Sequence, residues 1–116
     1  MPFEKYSPAS NTWDVITQMY DNRINFGACT FIDSIYLIGG CFYGNFTNSC
    51  LEFNTKNKTW RKIASTNVAR ENSSYAVFEG RIVVTGGYND NEGLLNSVEA
   101  YDHIDYSWKY MPNMRV

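Results

Sequence analysis

The chain has 116 residues, of which 44% are hydrophobic and 16% aromatic, and its formal net charge is −2 at pH 7. This composition predicts a folded chain of one domain or part of one, and the slightly acidic balance argues against a nucleic-acid partner. No apolar run approaches the roughly 20 residues that a membrane helix needs, so we expect no membrane partner either.

Short apolar segments bounded by turn residues predict strands rather than helices, because no window holds a sustained 3.6-residue apolar period with caps. In chain order these segments are GACTF (27–31), SIYLI (34–38), SCLEF (49–53), TWRKI (59–63), YAVF (75–78), RIVVT (81–85), SVEAY (97–101) and SWKYM (107–111). The dipeptides ID and EG predict tight turns between the first two strands of each group. The second strand of each group is almost wholly apolar, so we expect it to be covered on both faces.

The same landmarks return along the chain at a step of 47 or 48 residues. Paired glycines, an arginine and a tryptophan all keep this step, and an aromatic residue stands seven positions before each tryptophan. The recurring residues are Gly39, Gly40, Gly86 and Gly87, Arg23 and Arg70, Trp13, Trp60 and Trp108, and Tyr6, Phe53 and Tyr101. Four strands per step predict a four-stranded antiparallel sheet that is covered on both sides by copies of itself, as in a β-propeller blade.

The recurring residues are expected to be structural. The tryptophans and their aromatic partners are predicted to pack between blades. A glycine pair at the end of a strand indicates either positive φ or the close approach of another backbone or a large ring, and the recurring aromatic residues are candidates for that ring. The segment GGCFYG does not fit GxGxxG and opens no helix, so a dinucleotide site is poorly supported.

The three cysteines, Cys29, Cys41 and Cys50, are an odd number without CxxC spacing. Free thiols in a reducing compartment are the simplest interpretation, with a disulfide or a metal site as the less favoured alternative. The first ten residues also lack the order of a signal peptide. We therefore expect a cytoplasmic protein with no metal and no cofactor.

The landmarks together resemble the kelch repeat: Gly-Gly after an apolar strand, then SVEAYD, a tryptophan seven residues after the tyrosine, and an arginine ten residues later. The resemblance implies an all-β fold of kelch-type propeller blades, each a four-stranded antiparallel meander. It implies an incomplete propeller of about two and a half blades across residues 1–116, with a half repeat at 3–18 and full repeats at 24–64 and 71–112. We therefore expect a piece of a longer protein. The WD40 repeat fits less well, because Trp13-Asp14 has no second copy.

The repeats are most similar to those of BTB-kelch (kelch-like) proteins, which serve as substrate receptors for cullin-3 ubiquitin ligases. In these proteins one rim of the propeller receives a protein or peptide, and antiparallel geometry places the entry loop and the loop between the second and third strands on that rim. The matching positions here are Asn22, Arg23, Arg70, Ser73, Tyr88 and Asn89, with Phe42 and Tyr43 as looser candidates.

Arginine side chains on this rim suit an acidic partner, because a guanidinium group binds a carboxylate with two parallel hydrogen bonds. On this interpretation, replacing both Arg23 and Arg70 with alanine weakens partner binding and leaves thermal stability nearly unchanged. In the alternative, the arginines are scaffold and bond loop carbonyls or pair with Asp21, Glu71 or Glu92.

Functions from three classes stay open at this point. The first is a substrate-binding segment of a kelch-like ubiquitin-ligase adaptor, in which cullin-3 would bind only through BTB regions outside this sequence. The second is an actin-binding or other cytoskeletal kelch protein. The third is a fragment of an enzyme, which we disfavour because Ser73 and Ser74 have no placed base and His103, the single histidine, is expected to be a solvated loop residue.

Overall fold

The computed structural model describes residues 1–115, which form fourteen strands and no helix; Val116 lies outside the described residues. The strands are β1 Pro2–Ser7, β2 Thr12–Gln18, β3 Gly27–Phe31, β4 Ser34–Ile38, β5 Cys41–Phe42, β6 Asn45–Phe46, β7 Cys50–Asn54, β8 Thr59–Ile63, β9 Ser74–Phe78, β10 Arg81–Thr85, β11 Tyr88–Asn89, β12 Gly93–Leu94, β13 Val98–Asp102 and β14 Ser107–Met111. Within this part of the chain there is no helix long and apolar enough to cross a membrane.

The strands form two four-stranded antiparallel sheets and three two-stranded hairpins. The first sheet has the order β3-β4-β7-β8 and is called blade one, and the second has the order β9-β10-β13-β14 and is called blade two. The hairpin β1-β2 corresponds to the third and fourth strands of a blade. The all-β, four-stranded antiparallel architecture predicted from the sequence is confirmed.

The second and third strands of blade one and the third strand of blade two are buried on both faces. On β10, the second strand of blade two, burial alternates, and the face with Val83 is only half-buried, so the expected cover on both faces is incomplete there. Leu37 and Ile38 on β4 are 1% and 0% exposed, and Ile82 and Val84 on β10 are both 0% exposed. Side chains of both blades meet in one core, which removes their apolar surface from water. Its buried members are Tyr36, Ile38, Cys50, Ile82, Val84, Tyr101 and Trp108.

The recurring aromatic residues form cross-strand pairs between the third and fourth strands of each unit. The pairs Tyr6–Trp13, Phe53–Trp60 and Tyr101–Trp108 have ring centroids 4.9–5.1 Å apart and interplanar angles of 47–51°. Two of the indoles also reach the preceding unit: the N–H of Trp60 donates to the Gln18 carbonyl at 3.0 Å, and that of Trp108 donates to the Ala64 carbonyl at 2.8 Å. These tryptophans therefore join successive units.

The paired glycines adopt positive φ and lie against backbone. Their φ values are 63° and 97° in blade one and 67° and 95° in blade two. A Cβ on Gly40 would stand 2.5 Å from the carbonyl oxygen of Ile24, and one on Gly39 would collide with the carbonyl of Arg70. The expectation that aromatic rings press on these pairs is wrong: positive φ favours glycine at all four positions, and close backbone approach adds to it at Gly39, Gly40 and Gly87. A ring instead covers Gly27, where that of Tyr75 fills the Cβ position.

Two short hairpins, β5-β6 and β11-β12, lie between the second and third strands of the blades, where the sequence predicts surface loops. In the first hairpin, Tyr43 and Gly44 have φ of 53° and 79°, as a tight type I′ turn requires. Single β-bridges, Ile24 to Cys41 and Glu71 to Tyr88, join each hairpin to the loop that enters its blade. The hairpins are thus held in place on one edge of the blades.

Candidate functional site

The candidate site is the rim formed by the entry loops of the two blades, the hairpins β5-β6 and β11-β12, and the chain leaving each fourth strand. This is the rim to which antiparallel geometry assigns the predicted contact residues. The structure separates those residues into a buried group, which supports the blades, and an exposed group, which a partner can reach.

Arg23 and Arg70 belong to the buried group, because both are 0% exposed. Each guanidinium donates to the carbonyl of the first glycine of the pair, at 3.0 Å for Gly39 and 2.7 Å for Gly86. Each also donates to the carbonyl and the hydroxyl oxygen of the serine that precedes the third strand, with distances of 2.7–3.1 Å to Ser49 and Ser97. Each arginine therefore ties the two ends of its hairpin loop together.

The two arginines differ in the carboxylate that neutralises them. Arg23 pairs at 2.9 Å with Asp21, two residues before it, whereas Arg70 pairs at 2.8 Å with Glu99 on β13. Burial alone would raise the pKa of Asp21, but the hydrogen bonds and charge of Arg23 outweigh it and hold that pKa below its usual value. Val68 occupies the position of Asp21 in the second repeat, and the Nε of Arg70 accordingly has no partner among the described residues.

This placement corrects the expectation that the arginines face a partner. Their donors are used inside the blade, as in the scaffold alternative, and among the carboxylates named there only Asp21 takes part. Glu71 and Glu92 pair with neither arginine, and Glu99 takes that role for Arg70. Neither Arg23 nor Arg70 therefore offers its guanidinium to an acidic partner at the rim surface.

The other four predicted contact residues divide in the same way. Asn89 is 6% exposed and donates to the Ala69 carbonyl at 2.7 Å, so it supports the hairpin. Ser73 is half-buried and donates to the Gly86 carbonyl at 3.2 Å. Asn22 and Tyr88 are exposed and available to a partner.

The looser candidates lie near the exposed pair. The Asn22 amide donates to the hydroxyl of Tyr43 at 3.3 Å, and Tyr43 is 86% exposed. Phe42 is half-buried, and its ring lies 5.8 Å from the guanidinium carbon of Arg23. Tyr43 thus belongs to the exposed surface, whereas Phe42 mainly covers a buried cation.

A groove of about 520 Å³ opens on this rim between the two blades. It is lined by Gly44, Asn45, Phe46, Asn67, Val68, Ala69, Asn89, Asp90, Asn91, Glu92 and Tyr110. Of the predicted contact residues only Asn89 lines it. Sequence reasoning missed the others because equivalent positions in the two repeats carry different residue types; Gly44 and Asn45, for example, correspond to Asn91 and Glu92. The signal that could have found them is the polar, acidic segment YNDNEG, where the second repeat also gains its one extra residue.

Comparison with known proteins identifies the repeat. Residues 22–67 and 69–115 each match the family model described as the Kelch motif. The chain belongs to the kelch-repeat family. Kelch repeats are units of a protein-interaction fold, and this chain carries two matches to them.

Relatives with kelch repeats come from several kinds of protein. Kelch-like protein 41a of Danio rerio is 38% identical over 76 residues, covering 65% of this chain and 12% of its own length. Alpha-scruin of Limulus polyphemus is 28% identical over 122 residues, covering 97% of this chain and 13% of its own length. Kelch repeat and BTB domain-containing protein 1 of horsepox virus is 25% identical over 116 residues, covering 97% of this chain and 20% of its own length. The kelch chain spans a fifth or less of the length of these relatives.

The three cysteines and His103 do not line the groove. Cys29, Cys41 and Cys50 are free thiols, and burial raises the pKa of Cys29 to about 11 and that of Cys50 to about 12. Within residues 1–115 no three His, Cys, Asp or Glu side chains converge as a metal site requires.

His103 is not the solvated loop residue that the sequence suggests. Its ring lies 4.7 Å from that of Phe31 in blade one and 4.7 Å from that of Tyr101 in blade two. Its Nε2 is buried without a hydrogen-bond partner among the described residues. Burial lowers the pKa of His103, although the charges of Glu52 and Asp102 oppose that shift. His103 therefore belongs to the contact between the blades.

Proposed function

We propose that this chain is part of the substrate-recognition propeller of a kelch-like adaptor for a cullin-3 ubiquitin ligase, and that the rim described above receives a protein or peptide. The observation that carries the proposal is the groove between the two blades, because its exposed side chains stand on loops fixed by buried hydrogen bonds. Such pre-organisation lowers the entropy lost when a partner binds. The similarity to kelch-like protein 41a and to viral proteins named for BTB domains supports the adaptor role.

In this proposal cullin-3 contacts BTB regions that lie outside this sequence, and the kelch repeats contact only the substrate. The protein works in the cytoplasm, where the free thiols stay reduced. The chain contributes recognition and no chemistry of its own.

A second candidate is an actin-binding or other cytoskeletal kelch protein. The observation in its favour is the match to alpha-scruin. The match covers 97% of the chain, and the name of this relative, unlike those of the viral relatives, mentions no BTB domain. The blades alone do not distinguish the two candidates, because each uses kelch repeats to bind a protein.

Two assays on the complete gene product separate the candidates. Immunoprecipitation that recovers cullin-3 supports the adaptor, and sedimentation with actin filaments supports the cytoskeletal role. Binding to neither would contradict both assignments. Asn91→Trp, which fills the groove from an exposed loop position, should leave cullin-3 recovery unchanged and reduce recovery of the substrate.

A further inference from the structure

The groove between the blades carries negative charge that the chain itself does not neutralise. We propose that it binds a basic segment of the partner protein, an extended stretch that presents lysine or arginine side chains. The inference rests on the proposed function, because it names the class of partner for the same rim.

The charge of the groove is not balanced by its own residues. Asp90 and Glu92 are exposed, and neither takes part in an ion pair within residues 1–115. No lysine or arginine lines the groove. The nearby arginines, Arg23 and Arg70, are buried and each already pairs with a carboxylate. An acidic partner would therefore meet uncompensated like charge, whereas a basic one would meet its complement.

The uncharged residues that line the groove suit the aliphatic part of a basic side chain and the backbone of a peptide. Phe46 and Tyr110 present aromatic surface, and Tyr110 is 57% exposed. Lysine and arginine lay their aliphatic stems along such surface and place their cations over aromatic faces. Asn45 and Asn91 are exposed in the groove, and an amide can donate to and accept from a peptide backbone.

The hairpin that carries the two carboxylates is already ordered. The Asn89 amide donates to the Ala69 carbonyl at 2.7 Å, and its oxygen accepts from the backbone N–H of Glu92 at 2.8 Å. The hydroxyl of Tyr88 donates to the Asp90 carboxylate at 3.3 Å. The Asp90 carboxylate and the Glu92 backbone are thus held on a hairpin that is tied to the entry loop, so a partner need not order this hairpin.

The size of the groove fits a short segment rather than one side chain. Its volume of about 520 Å³ falls inside the range of roughly 300–1,000 Å³ that is usual for binding clefts. An extended segment that crosses from the Asn45 side to the Glu92 side brings its cations to the hairpin β11-β12 and its backbone to the amides.

The test uses the complete gene product and three fluorescein-labelled, end-capped hexapeptides in which glycine alternates with lysine, glutamate or glutamine. Fluorescence anisotropy is measured at low salt and at physiological salt. We expect the lysine peptide to bind most tightly and to weaken as salt rises, since the groove carboxylates are exposed to screening. The double variant Asp90→Asn, Glu92→Gln should weaken that binding about tenfold. Glu79→Gln, an exposed carboxylate on the opposite edge of blade two, is the matched control and should leave binding unchanged.

The outcomes separate this inference from the proposed function. In one outcome the glutamate or glutamine peptide binds, Asn91→Trp abolishes that binding, and the double variant does not weaken it. This result would overturn the basic-partner inference and leave the rim as the binding site. Binding of the lysine peptide that falls equally with Glu79→Gln would show that charge anywhere on the surface suffices, which overturns the inference. If no peptide responds to Asn91→Trp or to the double variant, both the inference and the proposed site are wrong.

Discussion

Replacement of Arg70 by alanine tests whether the recurring arginine supports the blade. The guanidinium makes four hydrogen bonds, to Gly86, to Ser97 twice and to Glu99, at 2.7–3.1 Å. Its removal leaves the Glu99 carboxylate, which is 0% exposed, without its cation. Breaking a buried ion pair by removing one partner costs about 3–5 kcal/mol, and we expect a loss of that size in the free energy of unfolding of blade two.

Arg23→Ala is the matched control for that prediction. Its carboxylate partner, Asp21, has a side chain that is 24% exposed, so water can replace part of the lost interaction. We expect the loss for Arg23→Ala to be about 1–3 kcal/mol, smaller than that for Arg70→Ala. Hydrogen exchange of peptides from each blade, measured in the complete gene product across a urea series, gives the two values separately.

A double-mutant cycle isolates the ion pair. Because Arg70→Leu leaves an unpaired buried charge that Glu99→Leu removes, the double variant should be destabilised by less than the sum of the single variants.

Losses below about 0.5 kcal/mol for Arg70→Ala, the level of ordinary surface substitutions, would refute the reasoning. Weakened partner binding with unchanged stability would restore the contact interpretation of these arginines.

Three further predictions follow from contacts within the blades. Trp108→Ala should cost about 3–5 kcal/mol, and Trp108→Phe, which keeps most of the ring area but loses the indole hydrogen bond, only about 1 kcal/mol, both by urea unfolding. Gly40→Ala should be more destabilising than Gly44→Ala in the same assay. At Gly44 (φ 79°) the new side chain meets only the penalty of the left-handed conformation, about 1–2 kcal/mol, whereas at Gly40 (φ 97°) it also collides with the Ile24 carbonyl. Burial lowers the pKa of His103 in the folded state. Its contribution to the free energy of unfolding should therefore be complete above pH 6.5, the usual pKa of histidine, and should be lost as the pH falls through the lower folded-state pKa. The variant His103→Gln should remove this pH dependence.

Each of these predictions can fail in a recognisable way. Equal losses for the two tryptophan variants would mean that the hydrogen bond, rather than ring burial, holds the units together. A Gly44→Ala variant as unstable as Gly40→Ala would show that backbone conformation alone selects glycine at both positions. An unchanged pH profile for His103→Gln would place the titrating group elsewhere.

The blades were predictable from the sequence because the residues that form their strands and turns repeat at a fixed spacing. Apolar runs of four to six residues and glycine-bounded turns repeat with the same spacing, and tertiary contacts only reinforce what these patterns favour. The strands YAVF and SWKYM, for example, agree with β9 and β14 to within one residue at either end.

The rim was less predictable because the fate of its side chains depends on residues far along the chain. An arginine at a loop looks the same in the sequence whether it faces solvent or a buried carboxylate, and Glu99 lies 29 positions from Arg70. The two-residue strands of β11-β12 are too short to show alternation. At the step of 47 residues Asp90 and Glu92 correspond to Tyr43 and Asn45, so no carboxylate recurs there and the repeat pattern gave no reason to select them.

The most direct test of the account is site-specific photo-cross-linking of the complete gene product in cells. A photoreactive phenylalanine is placed at Asn91 in the groove and, in a second variant, at Glu79 on the opposite edge of blade two. The account predicts that a partner protein is captured from position 91 and not from position 79, and that Asp90→Asn, Glu92→Gln reduces the capture. Capture of the same partner from position 79 with none from position 91 would contradict it.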